Sequence, residues 1–522
     1  MRTQKKRDNW GSRVGIIMAV AGSAVGLGNF LRFPAKVASN GGGAFMIPYF
    51  IALLLLGIPL MWIEWTLGRY GGGFEHGTAP GIFHSVWRKN KFIKYFGVIG
   101  IFGPLVIFIY YTYIESWTLA YSVFALSGKY GRLIDQASMQ GFLRGFQGLQ
   151  KNSYFSSLLP AYIFFLITFT INISVIYRGI KGGVEKLCKF AMPLLCIFGV
   201  ILLVRAITLG TPDPAKPDWN VWNGFGFLWN PDFSALKSAK VWLEAAGQIF
   251  FTLSVGIGVI LTYASYLSKG DDVVLSGLTA ASTNEIAEII LGGSIIIPAA
   301  FVFFGPVDIR TIAQSGVFNL GFVTMPLVLN KLPLSELLGF VWFFLLFLAG
   351  ITSSVSLAQP AIAFLEDEFD ISRKKAVGIF AVVAFILCQP AIFFLGNGVV
   401  DELDFWGGTF FLVVFATIET ILFGWVFGME NAWNEIHKGA DMRVPRVYKF
   451  IIKYVTPLFL LVILGMWFWQ EWLPIIFMKN VSAGDKPFVL ATRLGLFALL
   501  FGLAFLVRIS WKRKTQIGER IR

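Results

Sequence analysis

Five residues with uncharged oxygens stand inside apolar stretches that ordinarily carry none: Asn29, Thr252, Asn284, Thr352 and Ser353. A hard cation such as sodium is held by several carbonyl, amide and hydroxyl oxygens together. Each of these residues also has a plainer use, because Ser and Thr within helices commonly bond their own backbone. Two glycine-rich interruptions tie them to function. Residues 21–34 read AGSAVGLGNFLRFP and residues 252–258 read TLSVGIG, so Val25-Gly26-Leu27-Gly28 is echoed by Val255-Gly256-Ile257-Gly258. In hydrocarbon a broken helix survives only where its freed N–H and C=O groups meet protein, water or a ligand. One such stretch could equally be a close helix contact through small residues. Its recurrence at the head of a second half is the pattern of a carrier's binding site. Half-helix ends then supply the chemistry: amides near Leu27 and Gly28 for a carboxylate, carbonyls near Gly22, Ala24 and Val25 for a cation.

Ionisable residues inside apolar spans are costly and are read as functional first. Glu288 follows Asn284 by one turn and would add a fixed negative charge beside the cation site. Arg32 and Asp404 are expected to form an outer gate pair, and Arg7 and Asp367 an inner one, with structural anchoring as the plainer role. Glu64, Glu115 and Glu419 are buried by position and read as mainly structural.

The elements that must position these groups follow from composition. Of 522 residues, 56% are hydrophobic and 14% charged, with a mean hydropathy of +0.69. Soluble domains carry about a quarter charged residues, so the fold class is an all-α polytopic membrane protein. A β-barrel would show short alternating segments instead. After the first broken span, apolar runs at 43–70, 92–125, 160–178, 189–210, 241–267, 274–304, 336–368, 374–395, 402–427, 447–472 and 487–510 bring the expected count to about twelve. The net charge of +14 sits in short loops following the positive-inside rule, not on a face for nucleic acid. It places both termini in the cytoplasm. No cleaved signal peptide is expected. Cys188, Cys196 and Cys388 fall at no metal-ligand spacing, and three histidines are too scattered for a metal centre.

Spans 1–5 and 6–10 place the two glycine signals at the head of each half, and because five is odd the second half runs inverted. The expected division is a single membrane domain (1–522), with repeats at 12–210 and 241–427 and two further helices at 447–510. The outer stretch 305–335, with short apolar segments, is expected to fold back as a cap over a vestibule.

The chain resembles bacterial members of the neurotransmitter:sodium symporter family over nearly its whole length. The resemblance rests on AVGLGNFLRFP (24–34), NGGGAFMIPY (40–49), GIPLMWIEW (57–65), IYYTYIESW (109–117) and GQIFFTLS (247–254). SGLTAASTNE (276–285), AGITSS (349–354) and AFLEDE (363–368) extend it. It implies a 5+5 inverted repeat with broken helices 1 and 6, and two sodium sites. The first would use the Ala24 carbonyl, Asn29, Thr252, Asn284 and the substrate carboxylate. The second would use carbonyls of Gly22, Val25 and Ala349 with hydroxyls of Thr352 and Ser353. The substrate carboxylate would meet Tyr111 and the amides of Leu27 and Gly28. Its ammonium would meet carbonyls of Ala24, Phe251 and Thr252 and the Ser254 hydroxyl, with Tyr111 and Phe251 closing over it. Ile107, Ile257 and Leu357 would wall the side chain where the family pattern has Val, Phe and Ile, and Ser23 stands where it has Asn.

The expected function is sodium-coupled symport of a neutral, aliphatic amino acid by alternating access in a bacterial inner membrane. No catalysed reaction and no organic cofactor are expected, and Glu288 is expected to replace chloride. A homodimer stays open. The rivals are a proton-coupled carrier using Glu288, a carrier of larger aromatic amino acids, and a channel, which would need a continuous polar pore. An intramembrane enzyme would need a nucleophile–base pair or metal motif, and neither is present in the sequence.

Overall fold

The computed structural model describes residues 9–314 and 316–516. Ser12 caps the first helix, α1 (Arg13–Ala24), its hydroxyl accepting the Gly15 N–H at 3.0 Å. The chain leaves helical geometry at Val25 (φ −73°, ψ 88°) and resumes as α2 (Gly28–Ser39), bent 44° from α1. There follow α3 (Gly43–Gly72), α4 (Ile93–Leu126), α5 (Leu159–Tyr177) and α6 (Ile180–Ile207). The second broken span is α7 (Ala239–Leu253) and α8 (Val259–Ala264). The rest are α9 (Val274–Gln314), α10 (Ser335–Phe369), α11 (Arg373–Phe393), α12 (Val399–Val426), α13 (Val447–Trp467) and α14 (Lys486–Lys514).

Among the described residues, ten helices are long and apolar enough to cross a membrane, and the bent pair α1/α2 makes an eleventh. The twelfth expected crossing, at 241–267, is the interrupted pair α7/α8, broken over 254–258 and not one of the ten long apolar helices. The expected end of the seventh span at 304 coincides with a kink in α9 at Gly305, where φ is 71°. Beyond it the chain folds back through Val317–Asn319, Leu320–Thr324 and Met325–Asn330. Trp342 donates to the Gly321 carbonyl at 3.2 Å, and Phe322 packs on Trp117 and Tyr121. The 320–330 segment is thereby buried over the Arg32 end of the bundle.

Apolarity does not separate the inner helices from the outer ones, but burial does. The most apolar window of α10 is 89% buried and that of α4 is 83% buried, against 22% for α14 and 33% for α5. So α4 and α10 form the wall that the broken helices face, while α5 and α14 lie on the outside of the bundle. The second break is built from alternating left-handed residues: Ser254 (φ 53°), Gly256 (φ 74°) and Gly258 (φ 90°). Glycine adopts that geometry without strain. Ser254 is held there by its own hydroxyl, which donates to the Ser23 carbonyl at 3.0 Å.

Candidate functional site

The two breaks face each other, and one side chain joins them. Asn29, in a wide π-helical turn at Gly28–Arg32, accepts the Gly26 N–H at 2.8 Å, so its amide stabilises the unwound chain it follows. Its nitrogen donates to Thr252 Oγ1 at 3.1 Å and to Asn284 Oδ1 at 2.8 Å. All three residues are buried. The same Asn284 amide atom lies 3.2 Å from the Ala24 carbonyl oxygen and 3.1 Å from that of Thr252. As an oxygen it brings three acceptors together, the grouping that hard cations draw from carbonyl and amide oxygens. The donors grouped here are neutral oxygens, the ligand type that suits a hard cation.

A second oxygen cluster forms where α10 meets α1. Ser353 Oγ lies 3.3 Å from the Gly22 carbonyl, 3.1 Å from that of Ser23 and 3.1 Å from that of Ala349. Thr352 turns to its own helix, donating to Leu348 and Ala349 at 3.0 and 3.1 Å, the plainer use open to it from sequence. Val25 is buried at the break, its N–H bonded to the Ala21 carbonyl at 2.7 Å.

Between these clusters, Tyr111 of α4 accepts the Leu27 N–H at 3.0 Å. Ile107, one turn earlier on α4, is buried, as are Ile257 in the second break and Leu357 on α10. Ser23 enters through its carbonyl, which takes both the Ser254 and Ser353 hydroxyls. Phe251 is half-buried, and the Arg32 guanidinium lies over its ring at 4.5 Å.

Arg32 forms no direct ion pair with Asp404 among the described residues, contrary to the sequence expectation. Arg32 is engaged by the Phe251 face, and Asp404 accepts the Tyr110 hydroxyl at 2.6 Å. Arg32 and Asp404 thus each have a neutral aromatic partner. At the opposite end Asp367 lies on α10 and is engaged in further contacts, while Arg7 falls outside the described residues.

Glu288 sits on a π-helical turn of α9 (Ile286–Gly293), so the simple one-turn spacing from Asn284 is widened. Its carboxylate accepts hydrogen bonds from Thr252, Gln248 and, at 2.8 Å, Tyr49. Tyr49 also bonds Glu285 at 2.7 Å. Sequence reasoning passed over Tyr49, Gln248, Glu285 and Tyr110. The available signal was their place inside or beside the motif runs that carried the resemblance. Glu64, expected to be structural, accepts the Gly256 N–H at 2.5 Å and satisfies a donor freed by the second break.

Among the described residues, ten membrane-length apolar helices and two broken ones, α1/α2 and α7/α8, that face each other and carry convergent oxygens define a carrier rather than an enzyme. The model of the sodium:neurotransmitter symporter family matches residues 7–131 and 137–478, and the chain belongs to that family. It is 32% identical to an uncharacterised sodium-dependent transporter of Methanocaldococcus jannaschii, over 87% of this chain and 89% of that protein. The sodium-dependent nutrient amino acid transporter 1 of Drosophila melanogaster is 26% identical, over 88% of this chain and 77% of that one. A crystal structure of MhsT in complex with L-phenylalanine superposes with a TM-score of 0.75 at 30% identity, covering 88% of this chain and 99% of that one. The protein is therefore a multi-pass secondary transporter of the LeuT fold, and the family implies sodium use.

Proposed function

We propose that the protein couples sodium entry to import of a neutral amino acid with a medium aliphatic side chain, by alternating access in a bacterial inner membrane with both termini cytoplasmic. The observation that carries this reading is Asn29, which stands in the first break and bonds both Thr252 and Asn284. A sodium ion held by Ala24, Asn29, Thr252 and Asn284 would be completed by the substrate carboxylate, placed by the Tyr111 hydroxyl and the amides of Leu27 and Gly28. Each charge then lowers the cost of removing the other from water. A second sodium would use the Gly22, Val25 and Ala349 carbonyls with Thr352 and Ser353. The ammonium would take the carbonyls of Ala24, Phe251 and Thr252 and the Ser254 hydroxyl.

The side-chain compartment is walled by Ile107, Ile257 and Leu357, all apolar and buried. A charged side chain would find no partner among them, whereas each buried CH₂ contributes roughly 0.8 kcal/mol. The second reading, a larger aromatic substrate, draws support from the solved relative, whose complex contains L-phenylalanine.

Uptake of labelled leucine into proteoliposomes, with sodium replaced by choline and with all twenty amino acids as competitors, tests the proposal. Uptake should vanish in choline and be displaced by Leu, Met and Val; full activity in choline would overturn sodium coupling. Competition by Trp or Phe stronger than by Leu would select the aromatic reading. Ile107→Ala should shift preference toward Phe by about tenfold, the scale on which a pocket discriminates by one or two methylenes.

A further inference from the structure

The start of α1 is held by a carboxylate from α6 that no part of the sodium or amino-acid site uses. Glu185 ends the π-helical turn Ile180–Glu185 and its side chain is 3% exposed. Its Oε2 accepts the Gly11 N–H at 2.7 Å and its Oε1 accepts the Ser12 hydroxyl at 3.2 Å. Lys189, one turn later, closes the cluster, donating to Glu185 at 2.6 Å and to Ser12 at 3.0 Å. The carboxylate thus lies across the N-terminal end of α1, where free N–H groups and the helix dipole favour an anion. Gly15 makes the approach possible: a Cβ there would stand 2.2 Å from Glu185 Oε1. Arg13 fastens a different set of partners, Asp272 at 2.8 Å and Asp441 at 2.5 Å.

What lies behind this contact gives it meaning. One turn beyond Glu185 on α6 is Cys188, fully buried, with its sulfur 3.2 Å from where a Cβ on Gly22 would stand. Gly22 is also the residue whose carbonyl meets Ser353 in the second oxygen cluster. The chain is non-helical at Val25–Gly26, between α1 and α2, and a turn of α1 away from α6 about this link would uncover Cys188 and the Gly22 carbonyl together.

We propose that Glu185 is a gating residue, clamping the start of α1 to α6 and so closing the cytoplasmic route to the Gly22–Ser353 cluster. This rests on the alternating-access reading above. Glu185 acts through α1 and touches neither ion nor amino acid, so it is a positioning residue.

Cys188 reports the clamp. In a Cys196→Ser/Cys388→Ala background, purified protein is reacted with a hydrophilic maleimide in potassium, in sodium, and in sodium with leucine. Hydrogen bonds to a charged group contribute about 1.5–3 kcal/mol, so Glu185→Ala should label about tenfold to a hundredfold faster in potassium. Glu185→Gln should fall between it and the parent. Gly15→Ala keeps Glu185 but takes the space its carboxylate needs, and should label as fast as Glu185→Ala. Both variants should still slow when sodium and leucine are added, which a loss of fold would not permit. Parent-like labelling of Gly15→Ala together with Glu185→Ala or Glu185→Gln overturns the clamp. Parent protein whose labelling ignores sodium and leucine would instead overturn the symport reading, whatever the variants do.

Discussion

At Glu288 of α9 one carboxylate collects hydrogen bonds from three side chains on two other helices: Tyr49 of α3, and Gln248 and Thr252 of α7. Thr252 in turn lies against Asn29 and Asn284, so a negative charge at Glu288 stands one side chain away from the proposed first sodium. We propose that this built-in charge takes the place of an anion recruited from solution. Transport by the unaltered protein should therefore be equal in chloride and gluconate, whereas Glu288→Ser should lose most uptake in gluconate and regain it in chloride. Sodium-driven uptake measured in both anions decides the matter. Chloride dependence of the unaltered protein, or a Ser variant indifferent to chloride, would remove this role from Glu288.

Elements here are defined as much by their interruptions as by their helices. Gly258 opens α8 at φ 90°, and a Cβ added there would stand 2.5 Å from the Gly100 carbonyl oxygen of α4. Both the backbone geometry and the contact resist a side chain, and neither neighbour is a flexible side-chain end. Gly258→Ala should destabilise the protein by about 2 kcal/mol or more and lower its melting temperature in detergent. An unchanged melting temperature would mean that the second break is looser than its geometry implies. The π-helical turns at Gly28–Arg32 and Ile286–Gly293 have a related effect. Each widens one turn of helix and re-aims a functional side chain, Asn29 in one case and Glu288 in the other.

At the scale of the whole molecule, the end of α14 is tied back onto the bundle. Trp511 of α14 packs against His76 at 6.1 Å and edge-on against His84 of the short helix Ala79–Val86 at 5.9 Å. Lys514 pairs with Glu368 at 2.8 Å. Burial, reinforced by His76, Lys94 and Arg88, holds the His84 imidazole below its ordinary pKa. A group with a lowered folded pKa contributes fully above its unfolded value, near 6.5, and loses that contribution as pH falls towards the folded value. Stability should therefore drop between pH 7 and pH 5, and His84→Phe, which keeps the ring contact, should flatten that drop. Parallel melting curves of the two proteins across this range would show that His84 does not titrate with unfolding.

The amino-acid sequence by itself determined the membrane class, the crossings and the location of both breaks. Those features depend on local composition: apolar length sets a span, and glycine with unsatisfied backbone marks where a span cannot continue. It also singled out Asn29, Thr252 and Asn284, because polar oxygens in apolar stretches are conspicuous before any fold is known. Only the tertiary structure decided what each residue touches. Arg32 and Asp404 invite a pair by charge, yet Arg32 lies over the Phe251 ring and Asp404 takes the Tyr110 hydroxyl. Tyr49 and Gln248 look like ordinary members of apolar helices until α3, α7 and α9 converge on Glu288. Glu185 lies 174 residues from Gly11. No local pattern encodes that a carboxylate on one helix will cap another, because the contact exists only once both helices have found the same neighbour.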